Sequence, residues 1–150
     1  MDLLQNMMLG ASIVFTLRGI LAIVVGVIVG TIGGAIPGIN ASMTMAILLP
    51  FTWGMDPITT MLMYVGIYCG GQYGGSISAI LIGTPGTPSS AATVLDGYPL
   101  HLKGKTGLAL GMSLYASVTG GLISSVVLVI LAIPLAKVAL AFGPPEYFAL

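Results

Sequence analysis

Two Pro-Gly steps, Pro37-Gly38 and Pro85-Gly86, each stand beside side chains that carry hydroxyls or an amide. Asn40, Ser42 and Thr44 follow the first, while Ser76, Ser78, Thr84, Thr87, Ser89 and Ser90 accompany the second. The chemistry within reach of such groups is binding. Backbone amides freed at a helix start attract an anion, and freed carbonyls together with hydroxyls coordinate a sodium ion or line a proton path. Paired interruptions of this kind mark the substrate site of membrane carriers. The candidate substrate- or ion-binding residues are therefore Gly38, Asn40, Ser42, Tyr73, Gly74, Gly75, Ser76, Thr84, Pro85, Gly86 and Thr87, with Pro37, Gly38, Pro85 and Gly86 as the structural breaks. Hinge or re-entrant packing without a ligand is the competing reading of the same residues.

Bond-making chemistry has little to work with. His101 is the sole histidine and Cys69 the sole cysteine, so neither an imidazole-rich zinc site nor a disulfide can be built from these residues. A serine nucleophile would need a base nearby, and His101 falls in a segment expected to be a solvated loop. The stretch GGQYGGS (residues 70–76) lacks the lysine and hydroxyl of a phosphate-binding P-loop, and no strand precedes it. Asp56 and Asp96 lie at segment ends, where capping explains an acid at little cost. Tyr64 and Tyr68 read as packing or interfacial residues, whereas Tyr73, flanked by glycines, is the better candidate for lining a site. No catalytic residue, metal site or cofactor is expected beyond a coupling cation, sodium or proton.

The elements that must position these residues lie in a bilayer. Only 5% of the 150 residues are charged and 57% are hydrophobic, and the mean hydropathy is +1.10. The stretches 19–55, 57–95 and 106–136 contain no charged residue. Each exceeds the roughly 20 apolar residues that cross a membrane as a helix, which predicts at least three passages. Strand-like alternation is missing, so the fold class is an all-α integral membrane protein, a polytopic bundle with discontinuous or re-entrant helices broken at Pro-Gly. Four basic and four acidic residues leave no net charge, and hence no basic patch for nucleic acid.

Along the chain, one helix is expected over 8–35, with Gly26, Gly30 and Gly34 at the small-residue spacing that brings membrane helices together. Pro37-Gly38 ends it, and Asn40 or Ser42 caps a short second helix to about Trp53. Asp56 and Pro57 open a third helix, which the glycines from Gly70 onward are expected to break, at about 1 kcal/mol for each glycine and 3 for each proline. Residues 84–105 lead out to a polar loop, and a fourth helix covers about Gly107 to Ile133 and stops at Pro134. The start of the chain lacks the basic region and cleavage site of a secretory signal and reads as the lead-in to the first helix. The ending at Leu150, in apolar sequence after a proline break, suggests the front part of a longer chain.

The stretches GTIGGAIPGINASMTMAILLPFT, YGGSISAILIGTPGTPSSAATVLDGYPLHLKGKTGLALG and FGPPEYFAL, in that order, resemble the large membrane subunit of the tripartite tricarboxylate transporters, the TctA family. The resemblance runs from about Gly30 to Leu150, with Asn40 standing where the family more often has glycine. It implies a multi-pass secondary transporter of the bacterial inner membrane, working with a small membrane subunit and a soluble periplasmic substrate-binding protein. The implied substrates are di- or tricarboxylates such as citrate, imported on an ion gradient by symport. It further implies that residues 1–150 are the N-terminal part of a single, longer transporter domain. Alternating access would expose Ser76, Thr84, Thr87 and Asn40 to a carboxylate and a cation from either side. A channel or a scaffolding subunit is the rival, since glycine-rich breaks also build filters.

Overall fold

Thr16 ends the first helix early. In the computed structural model, which describes residues 3–140, its backbone is extended (φ −70°, ψ 151°) and its hydroxyl accepts a hydrogen bond from the Gly19 amide at 3.1 Å. The helix expected over 8–35 is therefore two, α1 (Leu3–Val14) and α2 (Leu17–Ala35). A threonine that caps its own downstream turn competes with helix continuation, and here it wins.

The chain then forms α3 (Ala41–Thr52), α4 (Pro57–Ile82), a 3-10 turn (Pro88–Ser90), α5 (Ala91–Leu102) and α6 (Thr106–Leu140). It divides into two units, Met1–Ser113 and Leu114–Leu150. In the second, the described residues 114–140 are helical and belong to α6. Pro134 lies inside that helix and does not stop it, contrary to expectation. Membrane helices absorb a proline because neighbouring groups satisfy the freed carbonyl. The FGPPEYFAL stretch lies outside the described residues.

Within the first unit, α2 and α4 form the most extensive interface. Gly26 abuts the Met63 carbonyl, Gly30 that of Ile67 and Gly34 that of Gly71; in return Gly66 meets Ile23, Gly70 meets Val27 and Gly74 meets Thr31. Partners advance together along both helices, so α2 and α4 run parallel. A β-carbon on Gly30 would lie 2.7 Å from the Ile67 Cα, and one on Gly34 would lie 2.8 Å from the Gly71 Cα. Only hydrogen fits between the two backbones.

That contact explains why α4 does not break at Gly70–Gly75. Each glycine weakens the helix by about 1 kcal/mol relative to alanine. Six facing glycines on α2 and α4 let the backbones approach closely, and the resulting dispersion offsets that cost. The expected interruption is thus displaced to Gly83, whose left-handed backbone (φ 67°) closes the helix.

The outward faces are apolar: Leu21, Ile28, Met61 and Val65 are exposed, while Ala41, Ile67, Ala79 and Ile80 are buried. Small residues inside and large apolar ones outside suit a lipid solvent. Two helices, Leu17–Ala35 and Thr106–Ala132, are long and apolar enough to cross a bilayer. The molecule is an all-α membrane protein.

Candidate functional site

The two interruptions differ in construction. After α2, Ile36 to Asn40 turn the chain through Gly38 at φ 93°. Asn40 then caps α3, its side-chain oxygen accepting from the Met43 amide at 2.8 Å. From there α3 descends antiparallel to α4, with Ala41 against Gly71 at one end and a 2.7 Å hydrogen bond between the Thr52 and Tyr64 hydroxyls at the other.

After α4, the chain doubles back. The Gly86 amide donates to the Gly75 carbonyl at 3.3 Å, so residues 83–86 retrace about two helical turns of α4. Thr87 and Ser90 then form a capping box, in which the Thr87 amide donates to Ser90 Oγ at 3.2 Å; Ser90 Oγ also donates to the Thr87 carbonyl at 2.8 Å. From this turn α5 proceeds alongside α4, with Gly97 on Ile80 and the Tyr98 ring beside Gly83. The expected polar loop over 84–105 is instead a re-entrant dip followed by α5. Gly97 is buried against Ile80 and lets α5 lie close to α4.

At the bottom of the dip the second interruption and the last turn of α2 meet one stretch of α4. Gly86 lies against the Gly34 carbonyl in the last turn of α2, and a β-carbon on it would meet the Ser78 hydroxyl at 2.8 Å. A β-carbon on Gly75 would lie 2.5 Å from Thr87 Oγ1 and 2.9 Å from the Thr87 nitrogen. Ser78 donates to the Gly75 carbonyl within α4 at 3.0 Å, while Ser89 donates to Gln72 Oε1 at 2.7 Å and so ties the dip to α4.

Of the sequence candidates, Gly75, Gly86 and Thr87 meet directly, and Gly74 and Ser76 are buried on the same part of α4. Tyr73 is half-buried; Thr84 and Pro85 are exposed on the descending strand of the dip. Pro37, Gly38 and Ser42 are exposed, and a β-carbon on Gly38 would touch nothing within 4 Å. Asn40, also exposed, is occupied as a cap. Reasoning from sequence missed Gln72, Gly34 and Gly71. Gln72 had a signal, being the one side chain with both amide donors and an acceptor in GGQYGGS.

The assembled groups are hydroxyls, one carboxamide and main chain, without a charged side chain. They can donate to an anion or offer oxygens to a hard cation. His101, elsewhere, shares a 2.8 Å hydrogen bond between Nδ1 and Thr106 Oγ1 at the start of α6. Among the described residues no group of three or more His, Cys, Asp and Glu side chains could hold a metal ion.

Parallel glycine-packed helices, a broken joint between α2 and α3 and a re-entrant dip after α4 define a helical membrane protein of the discontinuous-helix class. The chain belongs to the tripartite tricarboxylate transporter TctA family, whose sequence model matches residues 20–150. It is also 48% identical, over all 150 of its residues, to an Agrobacterium vitis protein described as an uncharacterized 52.8 kDa protein in the TAR-I ttuC' 3' region. The chain spans 30% of that relative's length. No solved structure matches it.

Proposed function

We propose that this chain is a portion of the large membrane subunit of a carrier that imports a di- or tricarboxylate, citrate being the type, across the bacterial inner membrane. Family membership supports the class. A sodium or proton gradient drives the step, a periplasmic binding protein delivers the substrate, and a small membrane subunit completes the assembly. Substrate and cation bind where Gly75, Gly86 and Thr87 meet; Ser76, Gln72 and the amides at the starts of α3 and the 3-10 turn supply donors. The observation that carries this reading is the re-entrant contact of Gly86 with both Gly75 and Gly34. It joins α2, α4 and the dip through their main chain.

Uncharged donors suit such a cargo. Amide and hydroxyl dipoles at helix starts can bind a carboxylate without a fixed countercharge. The test is concentrative uptake of labelled citrate, succinate and malate by the complete transporter in proteoliposomes, with and without a sodium or proton gradient. Thr87→Ala and Ser76→Ala are expected to lower uptake at unchanged membrane expression. Gradient-independent equilibration would instead identify a channel, and unchanged uptake in both variants would remove these residues from the site.

A further inference from the structure

At the end of the first unit where α2 and α4 both begin, a cavity of about 180 Å3 lies between the α1–α2 elbow and the first turn of α4. Its wall carries one cation and one anion, Arg18 and Asp56, together with Thr16, Thr59 and the apolar side chains of Ile13 and Leu62. The wall is held in place from both sides. Thr16 Oγ1 donates to the Ile13 carbonyl at 2.7 Å and accepts from Gly19, where a β-carbon would meet the Val14 carbonyl at 2.7 Å. Asp56 Oδ2 accepts from the Thr59 amide at 3.0 Å and from its hydroxyl at 3.1 Å. Both bonds fall on Oδ2, so Oδ1 remains an acceptor for a further donor.

The level of the cavity follows from the helices. Leu17–Ala35 is a candidate span, so Arg18 in its first turn lies at the edge of the hydrocarbon. α4 begins level with it, because Gly66 packs on Ile23 and Gly26 on Met63. Phe15 and Trp53, 77% and 85% exposed, are the aromatic residues bordering the same end, as in an interfacial belt.

We propose that this cavity binds the head group of phosphatidylethanolamine. The phosphodiester lies on the Arg18 guanidinium, the primary ammonium donates to the Asp56 carboxylate, and the glycerol end of the acyl chains rests on Ile13 and Leu62. Net neutrality of the pair selects the class. An anionic head group would bring its charge to Asp56 without an ammonium to offset it. A choline head group has a cation but no N–H to donate.

The experiment is native mass spectrometry of the complete membrane protein released from nanodiscs containing equal parts of dioleoyl phosphatidylethanolamine, phosphatidylcholine and phosphatidylglycerol. Wild type is expected to retain phosphatidylethanolamine about fivefold over either competitor. Asp56→Asn, which keeps the cap, and Arg18→Gln are each expected to abolish the preference. If either variant fails to fold, the wild type's melting temperature in phosphatidylethanolamine against phosphatidylcholine decides, and a higher value in the former is expected. Equal retention of the three lipids, or a preference that survives both substitutions, overturns the proposal. Displacement of the lipid by soluble glycerophosphoethanolamine at equal concentration would overturn the lipid as its source.

Discussion

Thr87 fills the space that a side chain on Gly75 would need: its Cγ2 lies 2.8 Å, and its Oγ1 2.5 Å, from the position of a Gly75 β-carbon. The two residues stand on opposite sides of the turn after α4, yet no side chain can be added at Gly75 without moving Thr87. Gly75→Ala is expected to push the dip off α4, lowering stability by about 1–3 kcal/mol through overpacking. A melting curve of the purified protein checks it. Unaltered melting together with unaltered carboxylate uptake would show that the contact is slack.

Gly30 and Gly10 make a controlled pair. A β-carbon on Gly30 would run into the Ile67 main chain, with Cα at 2.7 Å, whereas one on Gly10 would find nothing within 4 Å. Gly10→Ala is therefore expected to be neutral, or to stabilise α1 by up to about 1 kcal/mol of helix propensity. Gly30→Ala should separate α2 from α4 and reduce the yield of folded protein. Size-exclusion recovery of the two variants provides the comparison.

Asn40 has a job as a cap that is separable from any role in binding. Asn40→Ala is expected to cost about 0.5–2 kcal/mol, and Asn40→Ser only a small part of that, because serine also caps. If stability follows this order while uptake falls equally in both variants, the amide contacts substrate as well. Uptake that simply tracks stability assigns Asn40 to the cap alone.

The 2.7 Å bond from Ser89 to Gln72 crosses from the dip to α4 at an exposed position. Ser89→Ala is expected to remove about 0.5–1.5 kcal/mol of local stability. Hydrogen exchange of the amides of residues 86–91 should quicken by a comparable factor, with α2 unaffected. Equal exchange in wild type and variant would mean that the Gly75 contact alone anchors the dip.

Local chemistry was readable before any coordinates. Composition placed the chain in lipid, Pro37-Gly38 ended a helix, Asp56 capped the next one and Pro57 took its first position, as in the structure. Each of these depends on groups within a few residues of one another. Thr16 was equally local and was passed over, because an apolar run on both sides hid a capping hydroxyl.

What the amino-acid order determined alone was the solvent, the helical class and the residues at which the backbone can turn, since propensity and capping act over a single turn. Which glycines would break a helix and which would bind one to another was decided only in three dimensions. Gly70 and Gly74 remain helical because Val27 and Thr31 of α2 lie against them, and Gly86 sits deep because Gly34 and Gly75 leave it room. A glycine's cost is intrinsic to its own backbone, but its return is the approach of a partner dozens of residues away.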